Sequence, residues 1–497
     1  MKKLFKFVLV AISMILAMGV VSCNKDNTDD PSKKTPAKYT IMLYGCGGAN
    51  VDCQLEDALE PAVKALGVES NQVRYTVMYS MSATDKDFGA YFRGEKGKTY
   101  RYELSKDTDL TKAGYRQKYF YKNAKEVELY KASTIVEYIK WAKETAPAEN
   151  YIIEFVNHGG GFDLGTETLT KGIAYDDNHK DKDGDDTGIA ISTIAYALKT
   201  AGVPMKAIYW NGCLMGQLEV LTEVAPYCDY QFMSSHVAYT NNVHTVGLIK
   251  ALNEKPNDFE AAALAHEKIL YGNGEDDKNS FVYDFANATD EKTKKPAPVN
   301  GDFGCWRSNK VTAINEQVKK LGALLVKAYR TDEKEDINNA SKSVYVYELN
   351  YGYIDVLDYA QNLAFYLTDA TDKAEAEAIA TNMKTAIDAA NVYRVNCVYL
   401  HDAGGKKVTT KAGTFSLGIS LYAGKVEHDV LYKKWGGHYK TSAFDNAVGW
   451  SNWLDINEHR VSADKEHPNL YNPANDTSWE LFWLDNEEDD EEGDEEE

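Results

Sequence analysis

The chain has 497 residues, of which 44% are hydrophobic and 26% charged, an ordinary globular composition that excludes a wholly disordered or fibrous protein. The formal net charge is −21, and residues 486–497 contain ten acids and no base, which predicts a solvated acidic tail. A chain this acidic has no electrostatic basis for binding nucleic acid, so we expect no nucleic-acid partner.

The N-terminus has the pattern of a signal peptide over 1–22. Three lysines precede an apolar run that is shorter than the roughly 20 residues of a membrane-spanning helix. The run ends in Val-Val-Ser-Cys, which resembles a bacterial lipobox and predicts that Cys23 is lipidated in the cell envelope, as the protein's only membrane contact. The alternative is a soluble secreted protein in which Cys23 has no role. The polar residues at 23–37 predict a flexible tether.

Strands alternate with helices over 38–245, which predicts βαβ units and an α/β fold with a mostly parallel central sheet flanked by helices. The strands are continuous apolar runs, as expected for parallel strands covered on both faces. We predict strands at 39–44, 73–80, 151–156, 206–210 and 231–233, a hairpin at 90–104, and helices at 51–66, 132–145, 189–201 and 215–224.

The pattern is less regular over 246–485, which predicts a mixed α/β half that completes the fold. The polar stretch at 274–299 predicts a loop. We predict helices at 257–271, 312–329, 345–366 and 374–390, and strands at 395–400 and 414–422 added antiparallel to the same sheet.

Chemistry concentrates at the carboxyl ends of two consecutive predicted strands, where doubly wound sheets collect their catalytic groups. One strand runs into Asn-His-Gly-Gly-Gly at 157–161 and the next into Asn-Gly-Cys at 211–213. Glycines let backbone N–H groups approach a ligand closely, and a cysteine just before a helix lies where thiolate is favoured. A single cysteine at such a junction is usually only a small buried residue. The occurrence of a His-Gly turn and a Gly-Cys turn after consecutive strands predicts a Cys–His site formed by His158 and Cys213.

Two sequence blocks, at 157–161 and at 213–216 with Glu219 downstream, resemble the signature blocks of the clostripain-like cysteine peptidases. Weaker similarities occur at Ser235 and at 353–356. The resemblance implies a caspase-like fold and a Cys–His dyad without an obligatory carboxylate. It also implies calcium dependence in some members and activation by internal cleavage.

Carried over residue by residue, the resemblance makes Cys213 the nucleophile and His158 the general acid and base. The N–H groups of Gly159 and Cys213 match the oxyanion donors. Ser235 matches a substrate-binding position.

One position departs from the family. The family has an aspartate two residues before the nucleophile, where it recognises a basic P1 side chain, whereas this sequence has Asn211. An amide accepts a hydrogen bond but supplies no charge, so Asn211 predicts a substrate-binding position with basic P1 preference left open. Asp176, Asp177 and Glu154 are candidates to supply the missing charge.

An acidic run at 176–186 lies between the two blocks. Within it, Asp181, Asp183 and Asp185 faintly resemble a calcium loop but lack the closing glutamate of an EF-hand. The alternative is an exposed acidic loop. The resemblance also makes this run a candidate self-processing segment, with its lysines at the P1 position. The predicted chemistry requires no cofactor, and calcium is the one candidate.

The sequence therefore predicts an exported, lipid-anchored cysteine endopeptidase that acts on a peptide or protein substrate. It does not indicate an oligomeric state. The main alternative is a non-catalytic surface lipoprotein that binds peptide or glycan in the same pocket. A third possibility is a glycan-processing enzyme with carboxylates at the strand ends. The cysteines after Cys23 are irregularly spaced and lack a CxxC, which argues against a zinc ribbon or a dense disulfide framework.

Overall fold

Nine strands form the central sheet of the protein. The computed structural model describes residues 34–45, 48, 52–66, 72–83, 95–108, 110, 115–162, 172–180, 186–236, 243–272, 280, 301–331, 333–348, 352–397, 399–401, 407–409, 419–423 and 439–456. The predicted signal peptide with Cys23 and the acidic tail lie outside these residues, as does the predicted loop at 274–299 apart from Ser280. None of the described helices is both long enough and apolar enough to span a membrane.

The five strands predicted in the first half of the chain are all present, and β4, β6 and β7 are additional to them. In chain order they are β1 (Ala37–Gly45), β2 (Val73–Ser80), β3 (Lys98–Leu104), β4 (Phe120–Asn123), β5 (Ala148–Val156), β6 (Ile173–Lys180), β7 (Asp186–Ile189), β8 (Met205–Asn211), β9 (Cys228–Met233), β10 (Gly301–Arg307), β11 (Val346–Glu348), β12 (Tyr353–Asp355), β13 (Asn391–Cys397), β14 (Tyr399–His401), β15 (Lys407–Thr409) and β16 (Ser420–Tyr422).

The central sheet has the order β13-β10-β9-β8-β5-β1-β2-β3-β4. Its five middle strands, from β9 to β2, are parallel. The strands beyond them on either side are antiparallel. The five parallel strands therefore share one carboxyl edge, and the predicted α/β fold with a mostly parallel core is confirmed.

Helices cover both faces of this sheet. They are α1 (Asp52–Leu66), α2 (Tyr115–Lys118), α3 (Ala132–Thr145), α4 (Ile191–Ala201), α5 (Leu218–Val224), α6 (Val243–Glu254), α7 (Phe259–Tyr271), α8 (Val311–Tyr329), α9 (Lys334–Ser343), α10 (Val356–Tyr366), α11 (Ala370–Ala390), α12 (Ala443–Val448) and α13 (Ser451–Leu454).

The two faces of the sheet bury separate hydrophobic cores, because alternate residues of each strand point to opposite sides. On β5, Ile153 and Phe155 belong to the core under α3 and α4, whereas Ile152 and Val156 belong to the core under α1 and α6. Glu154 points to the second of these faces and is 2% exposed. A buried carboxylate on a central strand requires partners, which the site supplies.

The acidic run at 176–186 is not simply an exposed loop. Its first part is β6, which pairs antiparallel with β7, and Asp176 is fully buried. The Asp176 carboxylate accepts hydrogen bonds from the backbone N–H of Asn178 at 3.1 Å and bonds to Nδ1 of His179 at 2.8 Å. Polar composition alone suggested exposure, but these local bonds satisfy the carboxylate inside the fold.

The second half differs from prediction in several elements. The helix predicted over 345–366 begins only at Val356, because Val346–Glu348 and Tyr353–Asp355 form β11 and β12. Asp355 ends β12 and caps α10, because its Oδ1 accepts from the N–H groups of Leu357 and Asp358, both at 2.9 Å. Helices α6 and α9 and strand β10 have no counterpart among the predicted elements. Of the two predicted antiparallel additions, β13 joins the central sheet, whereas β16 pairs with β12 in a separate one.

Candidate active site

The two predicted catalytic blocks lie side by side at the carboxyl edge of the sheet. β5 and β8 are adjacent and parallel, and Val156 pairs with Asn211. His158 and Cys213 each follow two residues after this pair, so both side chains are carried beyond the last rung of the ladder. Both residues are half-buried. The sheet thus brings together the His and Cys that the sequence singled out.

The Gly159 turn packs directly on the backbone of Cys213. A Cβ placed on Gly159 would lie 2.9 Å from Cys213 N and closer still to its carbonyl oxygen. Gly159 forms a β-bridge with Ile173 in which the neighbouring residues make the hydrogen bonds, at 2.8 and 3.0 Å. The N–H of Gly159 therefore points away from β6. Only glycine allows this approach of the two turns.

Two non-glycine residues adopt positive φ angles at these turns. Asn157 has φ of 149°, and its side chain holds the turn because Oδ1 accepts from the N–H of His158 while Nδ2 donates to the carbonyl of Tyr175 at 3.1 Å. Leu214, directly after Cys213, has φ of 60°. Strained backbone on both sides of a pair of turns indicates that their geometry is fixed by the surrounding structure.

Asn211 is committed to a neighbouring carboxylate. Its Nδ2 donates to Oε1 of Glu154 at 3.1 Å. Glu154 also accepts from the hydroxyls of Thr245 at 2.6 Å and Tyr75 at 2.9 Å. Burial raises the pKa of Glu154, and the three donors offset part of that rise. A carboxylate candidate for substrate recognition therefore lies one hydrogen bond from Asn211.

Ser235 lies behind the turn that carries Cys213 and is 2% exposed. Its hydroxyl donates to the carbonyl of Gly216 at 2.9 Å. Its backbone N–H donates to Oδ1 of Asp302 at 2.8 Å. The structure thus brings Ser235 against the segment after Cys213 rather than into contact with His158.

Two side chains anchor the outer parts of the two turns. Gln217 Oε1 accepts from the N–H of Phe162 at 2.6 Å, and the Gln217 amide fills the space that a side chain on Gly161 would need. Glu219 Oε1 accepts from the N–H of Tyr422 and the hydroxyl of Tyr439, both at 3.0 Å. Burial raises the pKa of Glu219 to about 7. Residues far along the chain therefore fasten the segment that follows Cys213.

The three cysteines whose side chains the structure describes are all thiols, and they differ in burial. Cys213 is half-buried, whereas Cys228 and Cys305 are buried. Burial raises the pKa of Cys228 to about 12 and that of Cys305 well above its ordinary value. Reactivity requires thiolate and access, so both buried thiols are inert by this measure.

The predicted calcium ligands Asp181, Asp183 and Asp185 lie outside the described residues. Within the part of the chain that is described, no three His, Cys, Asp or Glu side chains are grouped to hold a metal ion. The other two candidates for the missing charge, Asp176 and Asp177, are engaged elsewhere. Asp176 bonds within β6, and Asp177 accepts from the hydroxyl of Ser82 at 2.5 Å.

Sequence reasoning missed the ion pair between Asp302 and Arg394. Asp302 Oδ2 accepts from Arg394 Nε at 3.0 Å and Nη2 at 2.6 Å, with side chains only 3% and 8% exposed. The available signal was a single charged residue inside each of two otherwise uncharged stretches, 301–306 and 391–397. An isolated charge in a buried strand predicts a buried partner, although sequence does not identify it.

The model of the clostripain family matches residues 93–456, well over half of the chain. Clostripain from Hathewaya histolytica is 22% identical over 464 residues, which cover 83% of this chain and 81% of that protein.

Solved structures with the same fold include a secreted C11 cysteine protease from Bacteroides thetaiotaomicron in complex with an irreversible peptide inhibitor. It has a TM-score of 0.54 and 15% identity, with 83% of this chain and 99% of that chain covered. A second structure from the same bacterium, of the secreted C11 cysteine protease iotapain, also has a TM-score of 0.54 and 15% identity, with 84% and 100% covered. The caspase-like fold implied by the resemblance is thereby confirmed.

Proposed function

The chain belongs to the clostripain family of cysteine endopeptidases, and from that premise we propose that Cys213 and His158 carry out its peptide-bond hydrolysis. The observation that supports these roles is the close packing of two turns at the carboxyl ends of β5 and β8. One turn carries His158 and the other carries Cys213, and Gly159 lies against the backbone of the nucleophile. Nucleophilic catalysis by a Cys–His pair requires the two side chains to lie within reach of each other, and the close packing of their turns supports this.

Acylation is the first half of the proposed reaction. The Cys213 thiolate attacks the scissile carbonyl carbon, and the carbonyl oxygen takes up the negative charge. The N–H groups of Gly159 and Cys213 stabilise this oxyanion, each by about 3 kcal/mol. The C–N bond then breaks, His158 gives its proton to the departing amine, and a thioester to Cys213 remains.

Deacylation reverses the roles. His158 removes a proton from water as the water oxygen attacks the thioester carbon. The C–S bond breaks, the carboxylic acid product leaves, and Cys213 returns to the thiolate with His158 protonated. No separate carboxylate is needed to balance either step.

The decisive experiment compares wild type with Cys213→Ala, His158→Ala and Cys228→Ser on a fluorogenic peptide library under reducing conditions. We expect cleavage by wild type and by Cys228→Ser, and none above background by the other two. Intact mass should show a peptidyl electrophile attached once, at Cys213 and in a His158-dependent manner. Peptide cleavage that survives in Cys213→Ala would point to another nucleophile. A wild-type protein that folds but cleaves no peptide would favour the non-catalytic binding protein.

We extend the proposal to a basic P1 residue, with Glu154 supplying the charge that Asn211 lacks. Glu154 is held by three neutral donors and makes no ion pair with any described residue. A lysine or arginine side chain would give this buried carboxylate its first cationic partner, which lowers the free energy of the charged form.

The P1 test uses Glu154→Gln, which keeps the shape of the side chain and removes its charge. Its kcat/KM for Lys and Arg at P1 should fall at least about tenfold, while that for neutral P1 residues stays within about twofold. Asn211→Asp is the matched variant and should increase the basic preference. A P1 profile unchanged by both variants would remove Glu154 from substrate recognition.

Export and lipid anchoring through Cys23 are also part of the proposal, and they rest on the N-terminal sequence. Wild type expressed with its leader should partition into detergent and carry a lipid mass at Cys23, whereas Cys23→Ser should remain in the aqueous phase. Aqueous wild type without a lipid mass would instead identify a soluble secreted protein.

Self-processing and calcium dependence are proposed for the segment that contains Asp181, Asp183 and Asp185. Lys180 at the end of β6 is exposed and is one candidate cleavage point. Incubated wild type should be cut in this segment when calcium is present, and Cys213→Ala should stay intact. Equal cutting with calcium and with a chelator would contradict calcium dependence. A wild type that stays uncut would contradict self-processing.

A further inference from the structure

The turn at 234–236 is gathered around one buried carboxylate. Asp302 Oδ1 accepts from the N–H groups of Ser235 at 2.8 Å and His236 at 2.9 Å, and from the hydroxyl of Ser234 at 3.1 Å. This turn follows β9 at the carboxyl edge of the sheet, and Asp302 lies opposite it at the start of β10. The carboxylate fixes three consecutive residues with three hydrogen bonds.

That turn in turn holds the backbone directly after the nucleophile. The N–H of Leu214 donates to the carbonyl of His236 at 2.9 Å, and the N–H of Gly216 donates to the carbonyl of Ser234 at 2.6 Å. Gly216 is pressed against the turn so closely that a Cβ there would lie 2.5 Å from Ser235 Oγ. The segment after Cys213 therefore takes its position from the turn that Asp302 organises.

Arg394 fixes the other oxygen of Asp302 from the edge strand β13. Its two donors bind Oδ2, and its Nη2 also reaches the hydroxyl of Tyr347 at 2.9 Å, which donates to Asp355 Oδ2 at 2.7 Å. Burial alone would raise the pKa of Asp302, but the Arg394 charge leads the effects that bring it below its ordinary value. The carboxylate is thus ionised and held in one orientation by a rigid fork.

We propose that Asp302 and Arg394 are a positioning pair for the nucleophile, acting on Cys213 through the 234–236 turn and the backbone of 214–216. The inference rests on the proposed function of Cys213. Burying an ion pair contributes little net stability compared with apolar residues of the same volume, so stability alone does not account for it. A displacement of about 1 Å in a reacting group is enough to lower a rate by roughly 100-fold.

The same strand provides a matched control at its other end. Arg307, the last residue of β10, makes a bidentate pair with Glu260 at 2.7 and 2.8 Å, and Tyr230 donates to the same carboxylate at 3.0 Å. Like Asp302 and Arg394, this pair joins a carboxylate to a guanidinium, but Arg307 lies five residues from Asp302 along β10, at the edge away from Cys213.

The test compares Asp302→Asn with Glu260→Gln in the otherwise intact protein. For Asp302→Asn we expect kcat to fall by about 10- to 100-fold with KM within about threefold, because the transition state loses alignment while substrate binding is kept. The rate of covalent trapping of Cys213 by a peptidyl electrophile should fall in parallel. Glu260→Gln should leave both rates within about twofold.

Two milder variants keep the inference testable if Asp302→Asn does not fold. Arg394→Lys keeps the charge but loses the fork, and Ser234→Ala removes one of the three donors; both should lower kcat and trapping while the circular dichroism stays unchanged. Wild-type kcat in every folded variant would overturn the positioning role, as would equal losses in Asp302→Asn and Glu260→Gln. Failure of the proposed function is different, since wild type itself would then show no cleavage dependent on Cys213.

Discussion

The two edges of the central sheet use similar residues under different conditions. At the carboxyl edge, Asp302 and Arg394 pair with side chains 3% and 8% exposed. At the opposite edge, Glu260 and Arg307 pair with side chains 40% and 26% exposed. The first pair organises backbone N–H groups behind the turn that carries Cys213, and the second fastens α7 to β10 in contact with solvent.

The difference shows where this fold accepts unfavourable features. The carboxyl edge contains buried carboxylates, positive φ angles at Asn157 and Leu214, and glycines pressed against backbone. Each feature costs free energy, and each fixes the position of a group near Cys213. The opposite edge carries solvent-screened ion pairs, which are tolerant of change. Variants matched across the two edges sharpen this contrast.

The largest effect is expected from a single methyl group at Gly159. In Gly159→Ala the Cβ would overlap the backbone of Cys213, so kcat/KM should fall at least about 100-fold. Gly202 at the end of α4 has φ of 64°, with no atom within 4 Å of a Cβ there. Gly202→Ala should cost only about 1–2 kcal/mol of backbone strain and leave kcat unchanged. Equal kcat/KM values for Gly159→Ala and Gly202→Ala would contradict the contrast between the carboxyl edge and the rest of the fold.

A smaller effect concerns the sign of pH dependence. Burial raises the pKa of Glu219 to about 7, whereas the hydrogen bond from Arg307 leads the causes that lower the pKa of Glu260 to about 2. In the unfolded chain the pKa of a glutamate is about 4.3. Glu219 therefore makes its full contribution to the free energy of unfolding below that pH, and it loses about 1.4 kcal/mol of this contribution per pH unit as the pH rises toward 7. Glu260 has the opposite sign, since its contribution is present above the unfolded pKa and is lost as pH falls toward 2.

Denaturant unfolding of wild type, Glu219→Gln and Glu260→Gln at pH 5 and pH 7 measures these signs. The wild type should lose stability relative to Glu219→Gln between the two pH values, and its difference from Glu260→Gln should change little in that window. A constant difference between wild type and Glu219→Gln would show that Glu219 titrates normally.

The smallest effect is expected at the exposed end of the parallel strands. Lys38 at the start of β1 pairs with Glu149 at the start of β5 at 2.9 Å, with side chains 32% and 55% exposed. Lys38→Ala should cost less than about 1 kcal/mol, and raising the salt concentration should remove part of that cost. A fall in kcat of Lys38→Ala as large as that expected for Asp302→Asn would contradict the contrast between the edges.

Much of the parallel half was predictable because its signals are local. Apolar runs ending in glycine-rich turns placed β5 and β8, and adjacency of consecutive strands then brought His158 beside Cys213. The family resemblance drawn from those turns is confirmed by the match over 93–456. The β6–β7 hairpin was missed because its residues are polar, and buried Asp176 is satisfied by bonds that composition does not reveal.

The contacts that hold the segment after Cys213 could not be predicted from local sequence patterns. Asp302 meets Arg394 across 92 positions, and Tyr439 reaches Glu219 across 220. Such pairings depend on how the second half folds back onto the sheet, and no periodicity encodes them. The segment at 345–355 was assigned to the wrong class for a related reason, because Tyr-rich strands paired within a small separate sheet resemble an apolar helix start.

The late position of Arg394, Tyr422 and Tyr439 has a consequence for biosynthesis. A chain grows from its N-terminus, so Cys213 and His158 emerge long before the residues that fasten the nucleophile segment. A partly made or C-terminally truncated chain contains both side chains but lacks the contacts that hold the segment after Cys213. That segment is therefore fully supported only after synthesis has passed Tyr439 and the second half has folded onto the sheet.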